Sequence, residues 1–549
     1  MTVNDALKKL DKRISKGDRT AFISAFLIGL LVHMPAMLMD VPNHDGLASM
    51  HFSQNMITSG RWFLAAVCAA SSFYTVPWII GLIALFELGI TSVLLKRIFE
   101  IKSGITIALV SGLLVSFPSL ASTFAYVFTL DGYMAGLLFA VLAVYAVKKG
   151  HFISGGISLA FSMGVYQAYL PFAMLLCICL VWDVMIRGEK GCIRKCLDCL
   201  YMGITGAVLY YVILMVLLKI EGKVLDTYQG IDSLGDSGMS HRLSAIPSMY
   251  KDFVKFTFSK GFLTGNACAA AGLLLALAAV FSAAVLVIKK KLYKKIWFYW
   301  VGLLTVILVP LSANIVLMIT PDVNYHLIMR YQWILFWIVA VVICDKCVIN
   351  EKGTETCENS DGSGDEKPEA VSVNSTVSEN TPVTGNASAG RMESIISWVC
   401  AVSAAVIFIS YAVTDNIGYT NLQRKYEKTY AYALRLLDRI EQTEGYYQGV
   451  PIAIMGVIGD DEFPPSEITA PVTEEMIGLN GDYLIYTSGN YEAFIRYYMG
   501  ATLNFVSEEE EARIYYSDEY IEMESFPGDT SVRMIDGIIC VKTEDAVRD

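Results

Sequence analysis

The chain has 549 residues, of which 54% are hydrophobic, and its mean hydropathy is +0.49. This composition excludes an ordinary soluble protein, because the apolar residues occur in blocks that match the ~30 Å hydrocarbon core of a bilayer. The net charge of −11 does not suggest nucleic-acid binding. The 12 cysteines lie mostly inside apolar blocks or basic loops, so no disulfide framework is predicted.

Charged residues are distributed unevenly along the chain. Residues 414–549 hold 26 acidic and 10 basic side chains, whereas the remainder outside 350–394 holds 18 acidic and 29 basic side chains. In multi-span proteins, lysine and arginine concentrate in the cytoplasmic loops. The pattern therefore predicts a basic membrane body that is followed by an acidic tail.

The apolar blocks and their basic flanks predict eleven membrane-spanning helices, with the N-terminus inside and the C-terminus outside. The predicted helices cover about residues 21–39, 76–95, 103–122, 133–147, 152–166, 169–186, 200–219, 263–288, 296–320, 328–347 and 394–413. Three consecutive lysines at 289–291 are the strongest cytoplasmic marker. No small-residue cleavage site follows the first apolar block, so we expect this helix to be retained.

These boundaries divide the chain into five predicted segments. They are a cytoplasmic N-terminus (1–20), a body of ten transmembrane helices (21–348), a disordered acidic cytoplasmic linker (349–393), the last transmembrane helix (394–413) and an α/β domain outside the membrane (414–549). In the tail, the spacing predicts a helix over 426–440 and buried strands at 451–457 and 537–541. The predicted fold class is an all-α polytopic membrane protein, with about 11 transmembrane helices and a small C-terminal extracytoplasmic α/β domain.

The loop after the first predicted helix places ionisable residues where a membrane helix meets water. Asp40 and Asp45 are candidate general bases, since partial burial raises the pKa of a carboxylate toward neutrality. Arg61 suits a phosphate, because its planar guanidinium can donate to two anionic oxygens at once. His33 lies seven residues before Asp40, so we expect the two on one helix face. The alternative is that the carboxylates are solvated residues at a helix exit.

Further polar residues near the same membrane face are candidates, and each has a plainer alternative. Arg330 is either a phosphate ligand or a membrane-surface anchor. Glu87 either lines the cavity or makes a structural hydrogen bond, and Asp131 either holds the sugar or occupies a turn. Sugar or acceptor contacts are also predicted for His44, Trp62, Tyr166, Gln167 and Tyr169, and a cavity-lining place for His33 and His326. For the tyrosines, the alternative is an interfacial belt.

Two CxxC pairs, Cys196 with Cys199 and Cys344 with Cys347, lie at predicted cytoplasmic helix ends. Four thiolates can bind zinc in a tetrahedral site. However, the pairs lie on different predicted helices and lack the neighbouring glycine or histidine of a zinc knuckle. This favours reduced free thiols, and the sequence predicts no metal site.

Four short motifs occur in order along the chain. They are Asn43-His44-Asp45-Gly46, Gly60-Arg61-Trp62-Phe63, Gly164-Val165-Tyr166-Gln167-Ala168-Tyr169, and Phe526-Pro527 followed by the run 535–541. With these motifs the chain resembles the type II Gtr glucosyltransferases, bacterial and phage-encoded membrane enzymes related to the GT-C class. The resemblance covers most of residues 20–420 and, more loosely, the tail.

This resemblance implies a reaction at the outer side of the bacterial cytoplasmic membrane. Glucose would pass from an undecaprenyl-phosphate carrier to a cell-surface polysaccharide, such as O-antigen or a cell-wall glycan. Two functional partners are implied, a cytoplasmic enzyme that loads the carrier and a small flippase. In the GT-C class an acidic residue of the first outer loop acts as the base, which corresponds to Asp45 here, with Asp40 as second choice.

The resulting hypothesis is an inverting glycosyl transfer. Asp45 would take the proton of an acceptor hydroxyl, which attacks the anomeric carbon while the polyprenyl phosphate leaves. Arg61 or Arg330 would balance the growing phosphate charge, so no cofactor or obligatory metal is expected. The rival functions are a transporter or flippase of lipid-linked sugars, whose expected internal repeats are not found, and a membrane scaffold that displays the tail.

Overall fold

The computed structural model describes most of the chain, and most of what it describes is helical. The described residues are 2–50, 52–68, 71–188, 191–226, 239–259, 265–320, 323–357, 386–458, 470–479, 485 and 487–544. The helices before the tail are α1 (Val3–Asp11), α2 (Lys16–Leu38), α3 (His44–Ala48), α4 (Leu64–Val67), α5 (Pro77–Phe99), α6 (Gly104–Ser116), α7 (Pro118–Phe124), α8 (Leu130–Lys148), α9 (Phe152–Val165), α10 (Leu170–Arg187), α11 (Cys192–Glu221), α12 (Met239–Ser244), α13 (Ile246–Phe258), α14 (Gly265–Lys289), α15 (Ile296–Ala313), α16 (Ile315–Ile319) and α17 (Ile334–Cys357).

One long helix, α18 (Asn386–Glu441), leads from the membrane body into the tail. The tail contains the helices α19 (Ala470–Thr473), α20 (Ser488–Tyr498), α21 (Glu508–Tyr515) and α22 (Asp518–Ile521), and the strands β1 (Pro451–Met455), β2 (Asn504–Phe505), β3 (Val532–Ile535) and β4 (Ile538–Lys542). Short 3₁₀ helices cover Ile57–Ser59, Val127–Thr129, Gln167–Tyr169, Leu292–Lys294, Leu327–Met329 and Tyr331–Trp333.

Eleven apolar helical segments correspond one to one with the predicted spans. Among the described residues, nine helices are long and apolar enough to cross a membrane. The pair α6 and α7, which is bent by 51°, would add a tenth when counted as one broken span. The bend falls at Pro118, because proline is well tolerated in the first turn of a helix but not in its interior. Helix α9 is apolar but has 14 residues. The prediction of a mostly helical, polytopic membrane protein with a small C-terminal α/β region is confirmed.

The last apolar helix continues beyond its predicted end. Residues 394–413 and 426–440 are predicted as separate helices, but α18 runs through both. The polar stretch between them packs on the membrane body, where Asn416 Nδ2 donates to the Val32 carbonyl at 3.2 Å. Tertiary contacts therefore stabilise a helix where local polarity predicts a loop. Residues 358–385 of the predicted linker lie outside the described residues, whereas α17 and α18 extend into its two ends.

Ion pairs connect the basic flanks of several spans. The pairs are Asp18 with Lys96 and Arg97, Glu100 with Lys148 and Arg187, and Asp183 with Arg187 and Lys346. They join the start of α2 to the ends of α5, α8 and α10 and to α17, and therefore mark one end of the helix bundle, here called the basic end. Charges that are partly removed from water in this way need such partners.

The tail contains a four-stranded sheet with the order β2-β1-β4-β3. Strand β1 is parallel to both β2 and β4, while β3 is antiparallel to β4. Every residue of β4 is buried, because helices cover both faces of the sheet. The end of α18 and α20 pack on one face, and α21 and α22 pack on the other. The two predicted strands are therefore the central pair of an α/β sheet.

The tail packs directly onto the loop that follows α2. Leu47 of α3 lies in the core of the tail, in one cluster with Tyr432 of α18 and Phe494 of α20. Asn490 of α20 donates a hydrogen bond to the His44 carbonyl at 3.3 Å. Because Leu47 is 2% exposed, the loop contributes to the hydrophobic core of the tail.

We expect Leu47→Ala to lower the free energy of unfolding by about 2–5 kcal/mol, since it leaves a cavity in this shared core. Leu38→Ala is the matched control, because Leu38 is 65% exposed, and its effect should stay within about 0.5 kcal/mol. Denaturant unfolding of the purified protein, followed by tryptophan fluorescence, measures both. Equal effects of the two substitutions would contradict the packing of the loop into the tail.

Candidate active site

A cleft of about 460 Å³ lies between the membrane body and the tail. Its walls are the loop after α2, the segment before α5, the turn between α7 and α8, and the end of α20. The polar residues that line it are Asp40, Ser49, Ser71, Tyr74, Thr75 and Tyr498. The basic end contains the start of α2 and the ends of α5 and α8, so the cleft lies at the opposite end of the bundle.

Asn43 shapes the loop that forms one wall of the cleft. Its Oδ1 accepts a hydrogen bond from the Gly46 N–H at 2.7 Å and so caps α3. Its Nδ2 donates to the Ala125 carbonyl at 2.9 Å, which ties the loop to the turn between α7 and α8. The side chain is buried and uses both ends of its amide. Asn43 therefore fixes the position of two cleft walls relative to each other.

Asp40 is the carboxylate that lines the cleft. Helix α2 ends at Leu38, so Asp40 follows the helix and is exposed. Tyr498 of the tail lines the same cleft. Burial raises the pKa of Tyr498, and the negative charge of Asp40 raises it further. The cleft therefore places a carboxylate from the membrane body within electrostatic reach of a phenol from the tail.

Asp45 lies close by but is not among the residues that line the cleft. It belongs to the first turn of α3, its side chain is 52% exposed, and its Oδ1 is 3.5 Å from His44 Nε2. The negative charge of Asp45 and the positive charge of Arg61 both interact electrostatically with Tyr133. The geometry thus favours Asp40 over Asp45 for contact with a bound molecule, which reverses the order of preference that the sequence suggested.

Arg61 lies on a group of aromatic rings. Its Nη1 donates to the Tyr133 hydroxyl at 3.2 Å, and its guanidinium carbon lies 5.0 Å from the centre of the Tyr166 ring. The rings of Tyr133 and Tyr166 stack with centroids 4.6 Å apart, and Tyr169 meets Tyr166 edge-on at 5.7 Å. The structure therefore brings together Arg61 and two of the predicted tyrosines, and adds Tyr133, which the sequence did not indicate.

Two glycines allow Trp62 and Gln167 to approach this region closely. A Cβ on Gly164 would lie 2.6 Å from Trp62 Cε2. Gly60 has φ +75°, and a Cβ there would lie 2.5 Å from Gln167 Nε2. Gln167 donates to the Ser59 carbonyl at 3.0 Å and so connects the loop to the 3₁₀ helix before α10. Both predicted residues therefore support the loop that carries Arg61.

Asp131 lies behind the cleft and is connected to the cleft wall by a hydrogen bond from Ser71. Ser71 Oγ donates to Asp131 Oδ1 at 2.5 Å, and the Gly132 N–H donates to the same oxygen at 2.9 Å. Asp131 is 3% exposed, whereas Ser71 lines the cleft. Glu87 lies near Asp131, and its Oε2 is buried without a hydrogen-bond partner among the described residues. Asp131 thus holds a cleft wall in place.

Arg330 lies in another part of the structure and already has a carboxylate partner. Its Nη1 and Nη2 donate to Asp252 of α13 at 2.6 and 2.9 Å. Its guanidinium carbon lies 4.0 Å from the centre of the Tyr325 ring. His326 directly precedes the 3₁₀ helix Leu327–Met329, which ends before Arg330. These contacts give Arg330 a structural role, because its planar group is occupied by Asp252.

His33 lies in the core of the membrane body. It is fully buried, with Nδ1 2.6 Å from the Tyr419 hydroxyl and Nε2 2.7 Å from the Val115 carbonyl. Since α2 ends at Leu38, His33 and Asp40 do not share a helix face. The expected relation between these two residues is therefore wrong, because the helix ends before Asp40.

The two CxxC pairs lie outside this region. In the described ranges, no group of three or more His, Cys, Asp or Glu residues has the arrangement of a metal site. Cys196 contacts Cys192 one turn earlier in α11, and Cys344 contacts Cys400 of α18. The two pairs thus have different neighbours.

We expect Gly164→Ala to lower the free energy of unfolding by about 1–3 kcal/mol, because the added methyl group overlaps the Trp62 ring. Gly302→Ala is the matched control, since a Cβ on Gly302 meets nothing within 4 Å. The control should unfold no earlier than the original protein, because alanine favours a helix more than glycine does. Thermal unfolding in detergent measures the difference, and equal unfolding temperatures would contradict the close contact.

The comparisons with known proteins give the family of the chain. The family model described as Glucosyl transferase GtrII matches residues 34–343. This range is more than half of the chain and includes every wall of the cleft except Tyr498. No curated protein and no solved structure gave a significant match. The chain belongs to the GtrII family of glucosyl transferases and is a membrane glycosyltransferase.

Proposed function

We propose that the protein transfers glucose from a polyprenyl-phosphate carrier to a hydroxyl of a surface polysaccharide, at the outer face of a bacterial cytoplasmic membrane. The observation that carries this proposal is the cleft that Asp40 lines at the end opposite the basic end. Lysine and arginine flanks favour the cytoplasmic side, so the basic end is inside and the cleft is outside. The C-terminal domain is then outside as well.

The site suits a donor that is held in the membrane. The cleft begins directly after α2 and directly before α5 and α8, so it lies where these helices leave the bilayer. A sugar on a membrane-anchored phosphate is presented at this level, whereas a soluble nucleotide sugar is made on the cytoplasmic side. The donor must therefore be supplied by a reaction that loads glucose onto the lipid and by a step that moves it across the membrane.

Asp40 is the proposed general base. Its carboxylate takes the proton of the acceptor hydroxyl as that oxygen bonds to the anomeric carbon of glucose. The bond from this carbon to the phosphate oxygen breaks, and the polyprenyl phosphate leaves with the electron pair. Attack from the face opposite the leaving group inverts the anomeric centre. Tyr498 lies on the far side of the cleft, where it is available to orient the acceptor hydroxyl.

Arg61 is the proposed ligand of the donor phosphate. It comes from the same loop as Asp40, and Tyr133 and Tyr166 hold its guanidinium in place. A guanidinium donates to two phosphate oxygens at once and stabilises the charge that develops as the phosphate leaves. Arg330 is the weaker choice, since Asp252 already occupies its planar group. A single phosphate leaving group needs less neutralisation than a diphosphate, so no obligatory metal is proposed.

The donor class is tested with the purified full chain in liposomes. Radiolabelled glucose is offered either on polyprenyl phosphate or on a nucleoside diphosphate, together with the polysaccharide fraction of the host envelope. We expect label in the polysaccharide with the lipid donor only, at a rate that a chelator does not change. Transfer from the nucleotide donor alone would refute the proposed donor. Movement of intact lipid-linked glucose between leaflets without transfer would identify a flippase instead.

Comparison of Asp40→Asn with Asp45→Asn identifies the base. We expect Asp40→Asn to lower the transfer rate at least about 100-fold, the usual contribution of a positioned general base, without loss of expression. Asp45→Asn should retain most of the activity, because Asp45 is not among the residues that line the cleft. The rate of polyprenyl-phosphate release measures both variants. The opposite result would assign the base to Asp45, and near-normal activity of both variants would reject a carboxylate of this loop.

A further inference from the structure

A second and larger cavity lies at the basic end of the bundle. Its volume is about 990 Å³, and α6, α17 and α18 form its walls. Its polar lining consists mainly of Ser103, Thr106, Asp345 and Ser397. None of its lining residues belongs to the cleft at the opposite end, so the cavity is separate from the proposed active site.

The cavity opens sideways between helices rather than only toward water. Ile105 of α6 and Trp398 of α18 both line it, and each is 70% exposed. Large apolar side chains that are exposed on membrane-spanning helices face lipid, and tryptophan prefers the level of the lipid headgroups. A lipid molecule in the adjacent leaflet therefore has direct access to the cavity.

Asp345 gives the cavity a carboxylate that has no salt-bridge partner among the described residues. Thr106 Oγ1 donates to Asp345 Oδ1 at 2.6 Å. Within the part of the chain that the structure describes, no lysine or arginine forms a salt bridge with Asp345. A carboxylate near the end of a membrane-spanning helix is costly to keep without a partner and indicates a functional site with a positively charged partner. The matching ligand carries a cation and can donate hydrogen bonds to hydroxyl groups.

We propose that this cavity binds the headgroup of a glycerophospholipid that carries a primary ammonium, such as phosphatidylethanolamine, with the ammonium on Asp345. Three N–H donors suit the carboxylate and the hydroxyls of Ser103 and Ser397, which line the same cavity. Lys102, which is exposed and directly precedes Ser103, supplies a positive charge for the lipid phosphate. The apolar walls accommodate the first part of the acyl chains.

Other occupants match the cavity less well. A choline headgroup has a positive charge but no N–H donor, and a glycerol headgroup has no positive charge. The segment 358–385 of this chain holds six acidic residues and one basic residue, so its charge has the same sign as that of Asp345. Charge and hydrogen bonding therefore select a primary ammonium.

Native mass spectrometry of the purified full chain tests the proposal. The protein is titrated in turn with phosphatidylethanolamine, phosphatidylcholine and phosphatidylglycerol of identical acyl chains, and the bound lipid is counted. We expect phosphatidylethanolamine to bind about tenfold more tightly than the other two lipids, the factor for one charge-assisted hydrogen bond. Equal affinity for phosphatidylethanolamine and phosphatidylcholine in the unchanged protein would overturn the proposal without any variant.

Two variants, each with a control, test the charge and the volume of the cavity separately. Asp345→Asn should remove the preference for phosphatidylethanolamine, whereas Asp11→Asn, at an exposed site, should keep it. Ala401→Trp should fill the cavity and abolish the preferred binding, while Leu304→Trp, on an exposed face of α15, should not. An unchanged preference in Asp345→Asn would also overturn the proposal. If that variant does not fold, the comparison of Ala401→Trp with Leu304→Trp decides whether the preferred lipid occupies this cavity.

Discussion

The cleft depends on the two hydrogen bonds of the buried Asn43 amide. One end of this amide caps α3, and the other holds the turn between α7 and α8. A buried amide that lost either partner would leave an unsatisfied polar group, which costs about 1–3 kcal/mol. The short helix α3 in turn presents Leu47 to the core of the tail. The position of Asp40 at the cleft therefore depends on an anchor in the membrane body and on a domain that is distant in sequence.

The two ends of the helix bundle carry different chemical groups. At one end, ion pairs hold the basic flanks of the spans together. At the other end, the loops form a cleft that Asp40 lines. The guanidinium of Arg61, from the same loop as Asp40, lies against the ring of Tyr166. In the transfer proposed above, this arrangement would let a donor lipid reach Asp40 and Arg61 without leaving the bilayer. The proposed lipid site at the basic end lies in the opposite leaflet and does not compete with this donor.

Hydropathy and basic flanks were sufficient to predict where the apolar helices lie, because the bilayer imposes a length and a composition on each membrane helix. Of the eleven predicted spans, nine correspond to described helices that are long enough to cross a membrane, and the bent pair α6 and α7 would add a tenth. Helix ends were less predictable, since the stretch 414–425 is helical through contacts that only the folded chain provides.

The loop motifs placed Arg61, Trp62, Tyr166 and Gln167 in one region correctly. The relation of Asp40 to His33 was wrong, because it assumed a helix that continues past Leu38. No local sequence pattern indicated Tyr498, since this residue reaches the cleft only through the docking of the tail.

The unbroken helix α18 has a consequence for how the enzyme meets its acceptor. Its 56 residues span about 84 Å at 1.5 Å per residue, which is far longer than the bilayer is thick. Because this helix is unbroken and packs on the membrane body along its polar stretch, no loop separates the membrane body from the start of the tail. In the transfer proposed above, this helix would hold the tail, and with it the Tyr498 wall of the cleft, at one height above the bilayer. In that proposal, an acceptor reaches Asp40 only by coming down to the membrane surface.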